Sequence, residues 1–243
     1  MQQKTLLMQL LVALMAILPL AVSADETTQL AKWTFDTGYT VADNVYTPNS
    51  EAYAESGTQW FNAGAPTIVA NEAVGTASDY TLSASTSRYW SLCTGYNNQV
   101  FRIVNDTEAN DIDDLTDATK HQNYYEVSFP TTGYKNVSIN LACSYGGNAE
   151  ATLTAVTSVD NGATWAVGDT YTTQNGWWLY KEGTLSIPAP NKEKVIVRLI
   201  CGNGFSSNWN LDSLTVYGEA ASSFAETYTL IPQHFDLTLF ISS

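Results

Sequence analysis

The sequence predicts an all-β protein, a two-sheet antiparallel β-sandwich. Short runs of alternating apolar and polar residues recur from about residue 31 to residue 218, and turn residues such as Gly146-Gly147-Asn148, Asp160-Asn161-Gly162 and Gly202-Asn203-Gly204 separate them. Helical periodicity is nearly absent. Several short strands punctuated by Gly and Asn turns are the signature of a sandwich, because each strand needs one apolar face for a shared core.

Taken in order, the chain opens with Lys4, an apolar run from Leu6 to Val22 broken by Pro19, and small residues at Val22-Ser23-Ala24. This pattern predicts a secretory signal peptide over residues 1–24, cleaved after Ala24, and hence a protein that is secreted, periplasmic or at the cell surface. The competing reading, a membrane anchor, needs about 20 apolar residues and no cleavage-like site. Of 243 residues, removal of 24 leaves 219, enough for one large sandwich over 25–218. Residues 219–243 read as a small-residue linker followed by an atypical apolar tail with Pro232 and His234.

Strands are expected near 31–35, 67–70, 89–93, 100–104, 124–129, 136–144, 151–158, 171–173, 178–187, 194–201 and 211–217. Strand side chains alternate faces, so in VIVRLIC Val195, Val197, Leu199 and Cys201 face the core while Ile196, Arg198 and Ile200 face out. Val137, Ile139, Leu141 and Cys143 point inward by the same rule.

Removal of Lys4, the only charge in residues 1–24, takes the net charge from −14 to −15. Such a surface repels phosphate backbones and anionic lipid, which excludes nucleic acid and membrane surfaces as partners and leaves neutral glycans and cations. Cys93, Cys143 and Cys201 form no C-x-x-C pair, so sulfur-bound metal is not expected. Cys143 and Cys201 fall in phase with core positions and read as buried free thiols, with a Cys143–Cys201 disulfide the alternative open to an exported chain.

The sharpest local motif is Ser158-Val159-Asp160-Asn161-Gly162-Ala163-Thr164-Trp165, in the S-x-D-x-G-x-T-W pattern called the Asp-box. Asp160 is expected to accept backbone N–H bonds across a hairpin turn, Gly162 to supply a positive φ, and Trp165 to pack under the loop. The motif resembles the Asp-boxes of sialidase propellers, which Phe101-Arg102-Ile103-Val104 also resembles apart from Val104 in place of Pro. One such motif, three arginines and 219 residues fall short of a six-bladed propeller and of the arginine triad that sialidases aim at a substrate carboxylate.

A broader resemblance runs through Trp33-Thr34-Phe35-Asp36, Tyr89-Trp90-Ser91-Leu92, the hairpin, and Asn208-Trp209-Asn210-Leu211-Asp212 leading to Val216-Tyr217-Gly218. This layout resembles the jelly-roll modules of secreted Bacteroidetes proteins, similar to carbohydrate-binding modules and galactose-binding-like domains. The resemblance implies a jelly roll that is not an enzyme, that binds a polysaccharide or glycan, and that in related proteins is appended to a catalytic domain. It also implies a structural Ca²⁺ held between the first and last strands, with Asp36 and Asp212 as ligands. The acidic cluster within residues 110–117 offers Asp111 and Asp113 as the alternative, but it lacks the EF-hand glycine and terminal glutamate, so a solvated acidic loop is the favoured reading of that cluster.

Seven Trp and fourteen Tyr give ample material for stacking on the apolar faces of pyranose rings. In Gln174-Asn175-Gly176-Trp177-Trp178-Leu179-Tyr180, one alternating pair must face the core. We expect Trp177 and Leu179 inward, leaving Trp178 and Tyr180 for ligand, with Asn175 and Gln174 orienting hydroxyls; the opposite assignment stays open. Trp60 and Trp209 are further candidates, from a Gly-bounded loop and the sandwich rim, whereas Trp33, Trp90 and Trp165 are assigned to structure. His121 and His234 sit in no nucleophile elbow or H-x-x-x-H pair, and Glu126, Glu150 and Glu182 are the strand-borne carboxylates. The chain therefore reads as a non-catalytic carbohydrate-binding module. Its rivals are a structural or adhesive surface domain without a small ligand and a sandwich-fold glycoside-active enzyme using a carboxylate pair.

Overall fold

The structure, a computed structural model, describes residues 26–36, 39–42, 45–48, 61–62, 66–86, 89–94, 99–104, 114–147, 150–174, 179–202 and 208–221. Sheet A contains β4 (Phe61–Asn62), β8 (Tyr89–Thr94), β9 (Gln99–Val104), β16 (Asn208–Ala220), β11 (Tyr134–Tyr145) and β14 (Lys181–Ile187) in that spatial order, with β1 (Thr27–Thr34) also on β16 and β6 (Glu72–Ala73) on β1. Sheet B runs β2 (Tyr39–Ala42), β3 (Val45–Pro48), β5 (Thr67–Val69), β7 (Thr81–Ser85), β10 (Tyr124–Phe129), β15 (Val195–Cys201), β12 (Thr152–Ser158) and β13 (Ala166–Thr172). From β10 onward the chain crosses repeatedly between sheets, with β11, β14 and β16 in sheet A and β10, β12, β13 and β15 in sheet B. This is the crossing pattern of a jelly-roll sandwich, antiparallel except where β3 runs parallel to β5.

Alternation sets the core as expected. Val195, Val197, Leu199 and Cys201 of β15, and Val137, Ile139, Leu141 and Cys143 of β11, are buried against one another with Trp33, Phe101, Tyr125, Phe129 and Trp209. Each such large side chain removed from water contributes about 1.5–3 kcal/mol of hydrophobic stabilisation. Cys143 and Cys201 are free thiols, and burial pushes both well above the ordinary thiol value, so they pack as small apolar groups.

Polar tips reach from one sheet to backbone on the other. Tyr125 of sheet B places its hydroxyl 2.9 Å from both the Phe101 and the Trp209 carbonyls of sheet A. Tyr171 likewise reaches the Cys143 carbonyl at 2.9 Å and the Lys181 carbonyl at 2.7 Å, and Trp33 Nε1 donates to the Ile68 carbonyl at 3.1 Å. Tyr171 lies where any side chain at Gly183 would sit, so glycine is required there for close approach.

Three expectations are corrected. Within the run expected as a strand over 178–187, Leu179 and Tyr180 precede the strand, which begins at Lys181, and Leu179, expected inward, is 44% exposed because it lies before the paired segment. β16 continues through Ala220, with Glu219 opposite both Lys135 and Thr27, so the strand outlasts the boundary expected at Gly218. Trp209, proposed as a ligand-stacking residue at the rim, is fully buried and packs on Tyr145 with ring centroids 5.0 Å apart. The β16 alternation that puts Leu211 inward puts Trp209 inward too.

The Ser158–Trp165 hairpin joins β12 to β13 through its own side chains. Ser158 Oγ donates to Asp160 Oδ1 at 2.8 Å and accepts from Gly162 N at 2.8 Å, while Asp160 accepts from Thr164 N at 2.9 Å and from the Thr164 hydroxyl at 2.5 Å. Asn161 and Gly162 take φ of 59° and 87°, and Trp165 is buried with Nε1 donating to the Gly162 carbonyl at 3.1 Å. These bonds, the Thr164 hydroxyl first, hold the Asp160 carboxyl down at about 2 against an ordinary 3.8. A carboxyl depressed by folding adds stability above its unfolded value and loses it as pH falls toward the folded one. The melting temperature is therefore expected to fall between about pH 4 and pH 2, with part of that fall missing in Asp160→Asn; identical acid profiles for the two proteins would contradict this role.

Candidate functional site

The outer face of sheet A follows from the alternation that builds the core. With Ile139, Leu141, Leu214, Val216, Leu185 and Ile187 inward, Asn140 and Ala142 of β11, Thr215 and Tyr217 of β16, and Glu182 and Thr184 of β14 face out. Together they line a groove of about 360 Å³ across three adjacent strands, its walls hydroxyl, amide, carboxylate and one phenol.

Next to the groove, outward-facing side chains are enclosed and joined by hydrogen bonds. Arg102 Nε of β9 donates to Asn210 Oδ1 at 2.6 Å, and Asn210 Nδ2 donates to Ser144 Oγ at 3.2 Å. Asn210 and Ser144 are fully buried and Arg102 is nearly so. Tyr180, half-buried just before β14, brings its hydroxyl beside Ser144 without a well-formed hydrogen bond. Burial above all pushes that hydroxyl up to about 12, so it stays a neutral phenol.

β16 changes partner in this region. Leu211 pairs with Phe101 of β9 and Cys143 of β11, Ser213 pairs with Thr34 of β1 and Ala142 of β11, and Asp212 is the extra residue between them. A bulge of this kind bends a strand and re-aims its side chains. Asp36, exposed two residues beyond Thr34, is carried toward the same stretch by the β1–β16 register. Among the described residues, no group of three or more His, Cys, Asp or Glu side chains is arranged to hold a metal ion.

The other expected site residues fall as follows. Gln174 is exposed just past β13. Trp178, Asn175, Trp60, Asp111 and Asp113 lie outside the described residues. Glu126 and Glu182 occupy opposite outer faces with the core between them, so these two do not form a carboxylate pair. Glu126 is also engaged by Arg198 at 2.7 Å. Asn140, Thr215 and Tyr217 were not singled out from sequence; their alternating placement marks them as outward-facing, but their meeting requires the β11–β16 pairing.

No family model matches the chain, and no curated protein matches it. Solved structures similar to it include the CBM22-1 xylan-binding domain from Paenibacillus barcinonensis Xyn10C, at 13% identity and a TM-score of 0.43, covering 82% of this chain and 100% of that one. They also include the CBM22-1–GH10 modules of Clostridium thermocellum xylanase 10B complexed with xylohexaose, at 12% identity and a TM-score of 0.38. That match covers 65% of this chain and 26% of the other. TmCBM61 in complex with beta-1,4-galactotriose is similar at 8% identity and a TM-score of 0.34, covering 60% and 86%. At this level of similarity nothing about the ligand of this chain follows.

The polar network yields a stability test. Arg102→Met keeps side-chain volume but removes the donor to a fully buried amide oxygen, which costs about 2 kcal/mol. The urea midpoint is expected to drop accordingly, and an unchanged midpoint would show that the network is dispensable.

Proposed function

We propose that this protein is an exported, non-catalytic glycan-binding module that takes a polysaccharide on the outer face of sheet A. The observation that carries this reading is the groove across β14, β11 and β16, where Asn140, Glu182, Thr184, Thr215 and Tyr217 offer hydrogen-bonding groups on a sheet scaffold. Sugar hydroxyls need donors and acceptors in fixed positions, and a pyranose C–H face needs an aromatic surface. Tyr217 lies within the groove and Tyr180 precedes the strand that bounds it. In this proposal Trp178 and Trp60 add stacking surface, and Gln174 and Asn175 orient hydroxyls. Trp209 has no part in it, since its ring is spent in the core.

Retardation in native gels containing xylan, β-glucan, mannan or pectin tests the proposal. Wild type is expected to be slowed by at least one glycan, with Tyr217→Ala and Trp178→Ala each weakening binding by about tenfold, equivalent to about 1.4 kcal/mol. Asp79→Asn, in a separate groove of about 450 Å³ near the ends of β7 and β10, is expected to bind as wild type. Migration unaffected by all four glycans would favour a structural or adhesive domain, and release of reducing sugar from any of them would favour an enzyme.

We also propose a structural Ca²⁺ at the meeting of β1 and β16, with Asp36 and Asp212 among its ligands. Support comes from the register, which carries Asp36 beyond Thr34 toward the bulge at Asp212. A cation bound only by the native state raises stability by mass action. Melting temperature is expected to rise with added Ca²⁺ and fall with chelator in wild type but not in Asp36→Asn; a chelator-insensitive wild type would rule the ion out.

A further inference from the structure

Among the described residues, the outer face of sheet B carries an apolar cover from outside the sheet, and the groove on the outer face of sheet A does not. Leu115 and Trp165 pack there on Val156 of β12 and Ile200 of β15, with Tyr124, Ile196 and Ala118 around them. Arg198 lies in this cluster with its guanidinium carbon 4.5 Å from the Tyr124 ring centroid and 4.4 Å from that of Trp165. Its Nε donates to Glu126 Oε2 at 2.7 Å. Two rings and a carboxylate thus hold the cation to the sheet.

His121 ties the segment 114–121 to that cation. Its Nδ1 is 3.0 Å from Arg198 Nη1, and its Nε2 is 2.9 Å from the Leu115 carbonyl. A guanidinium only donates and a carbonyl only accepts, so Nδ1 is the acceptor and Nε2 carries the proton. The ring is buried and edge-on to Trp165, with centroids 5.2 Å apart. Only one neutral tautomer satisfies both contacts. Adding a proton to Nδ1 replaces the hydrogen bond with two N–H groups facing each other and sets a second positive charge beside Arg198.

We propose that His121 is an acid-sensitive latch whose protonation at Nδ1 releases the segment 114–121 from the outer face of sheet B. Arg198 is held by groups belonging to the sheet and to the hairpin, so the element free to give way is the segment. That segment meets the face of the sheet through His121, Leu115 and Ala118, and Ala118–Lys120 forms one short 3-10 turn within it.

The charged and titratable groups facing the imidazole divide as follows. Arg198 of β15 opposes its protonation, whereas Glu126 of β10, and Asp117 on the segment itself, favour it. Tyr124 of β10 stays neutral, raised chiefly by burial. Lys120 and Asp114 complete the segment, and the hairpin contributes Trp165, which does not titrate. Burial is the largest influence and holds His121 below its ordinary 6.5. A base whose value is lowered by folding binds protons more readily when unfolded or released, so the latch is closed at neutral pH and loses stability as pH falls below 6.5.

Hydrogen exchange of peptides spanning 114–121, corrected for intrinsic rates, reads the latch in the intact protein. Between about pH 7.5 and about pH 5, wild-type protection is expected to fall by about tenfold, while His121→Gln, which keeps one donor and one acceptor but does not titrate, stays constant. Constant wild-type protection, or an equal fall in His121→Gln, overturns the proposal. Long-range nitrogen–proton spectra of the wild type supply an independent arm, because the chain has only two histidines and His234→Gln assigns them. An Nε2–H tautomer at about pH 7.5 and a midpoint below 6.5 are expected; an Nδ1–H tautomer or a higher midpoint also overturns it.

Discussion

Two sheets about 10 Å apart share one apolar core, and backbone carbonyls that face it must find donors there, since a buried carbonyl without a partner is costly. Tyr125, Tyr171 and Trp33 supply those donors from across the sandwich. Two of these carbonyls border an irregularity or a partner change: Cys143 sits at the shift in β11, and Phe101 pairs with Leu211, the last β16 residue matched to β9. Each ring fills core volume while its polar tip orders the opposite sheet, so one side chain fixes both packing and alignment. The β11–β14 and β11–β16 ladders set the relative placement of those three strands and so the groove on their outer side, and the cross-sheet contacts fix that sheet against its partner.

The two outer faces solve the same exposure problem differently. On sheet B, Ile196 and Ile200 leave apolar surface outside the core, and Trp165 and Leu115 are folded over it with Arg198 between two rings. The hairpin makes this possible: Asp160 and Ser158 organise its turn so that Trp165 turns back onto the sheet. On sheet A the outward residues around the groove, Asn140, Glu182, Thr184, Thr215 and Tyr217, carry polar groups, with Ala142 among them. In the proposed glycan-binding role, a polar face backed by a packed core would present groups that are already ordered, which lowers the cost of binding.

The bulge at Asp212 links architecture to the site. β16 is the longest strand of sheet A and takes β9 along one half of its edge and β1 along the other. The extra residue at the changeover keeps Trp209 and Leu211 on one side, and Leu214 and Val216 on the other, facing the same core despite the odd spacing. Just before the bulge, Asn210 pairs with Arg102 of β9 and Ser144 of β11, which brings together residues more than 60 positions apart in the chain except for the Arg102–Ser144 pair.

Local chemistry by itself determined much of this protein. The strand β10 lies where 124–129 was expected, the inward faces of β11 and β15 follow their alternation, and the hairpin turn follows from Asp160, Gly162 and Trp165. Such features depend on neighbours one to five residues apart, which a sequence displays directly. Strands with weak alternation were legible in part or not at all: in Thr81–Ser85 the inward pair is Leu82 and Ala84, and the edge strand β13, expected only near 171–173, runs over Ala166–Thr172 and exposes Val167. Trp209 looked like a rim residue because its burial depends on β9 and Tyr145, and Leu179 looked like core because its run is apolar, although pairing starts two residues later. Only the tertiary structure decided which outer face the described residues cover, that Glu126 and Glu182 are separated by the core, and that Asn140, Thr215 and Tyr217 meet. Those facts are set by pairings between distant strands, and strand registry over such separations is a property of the folded core, not of any local run of residues.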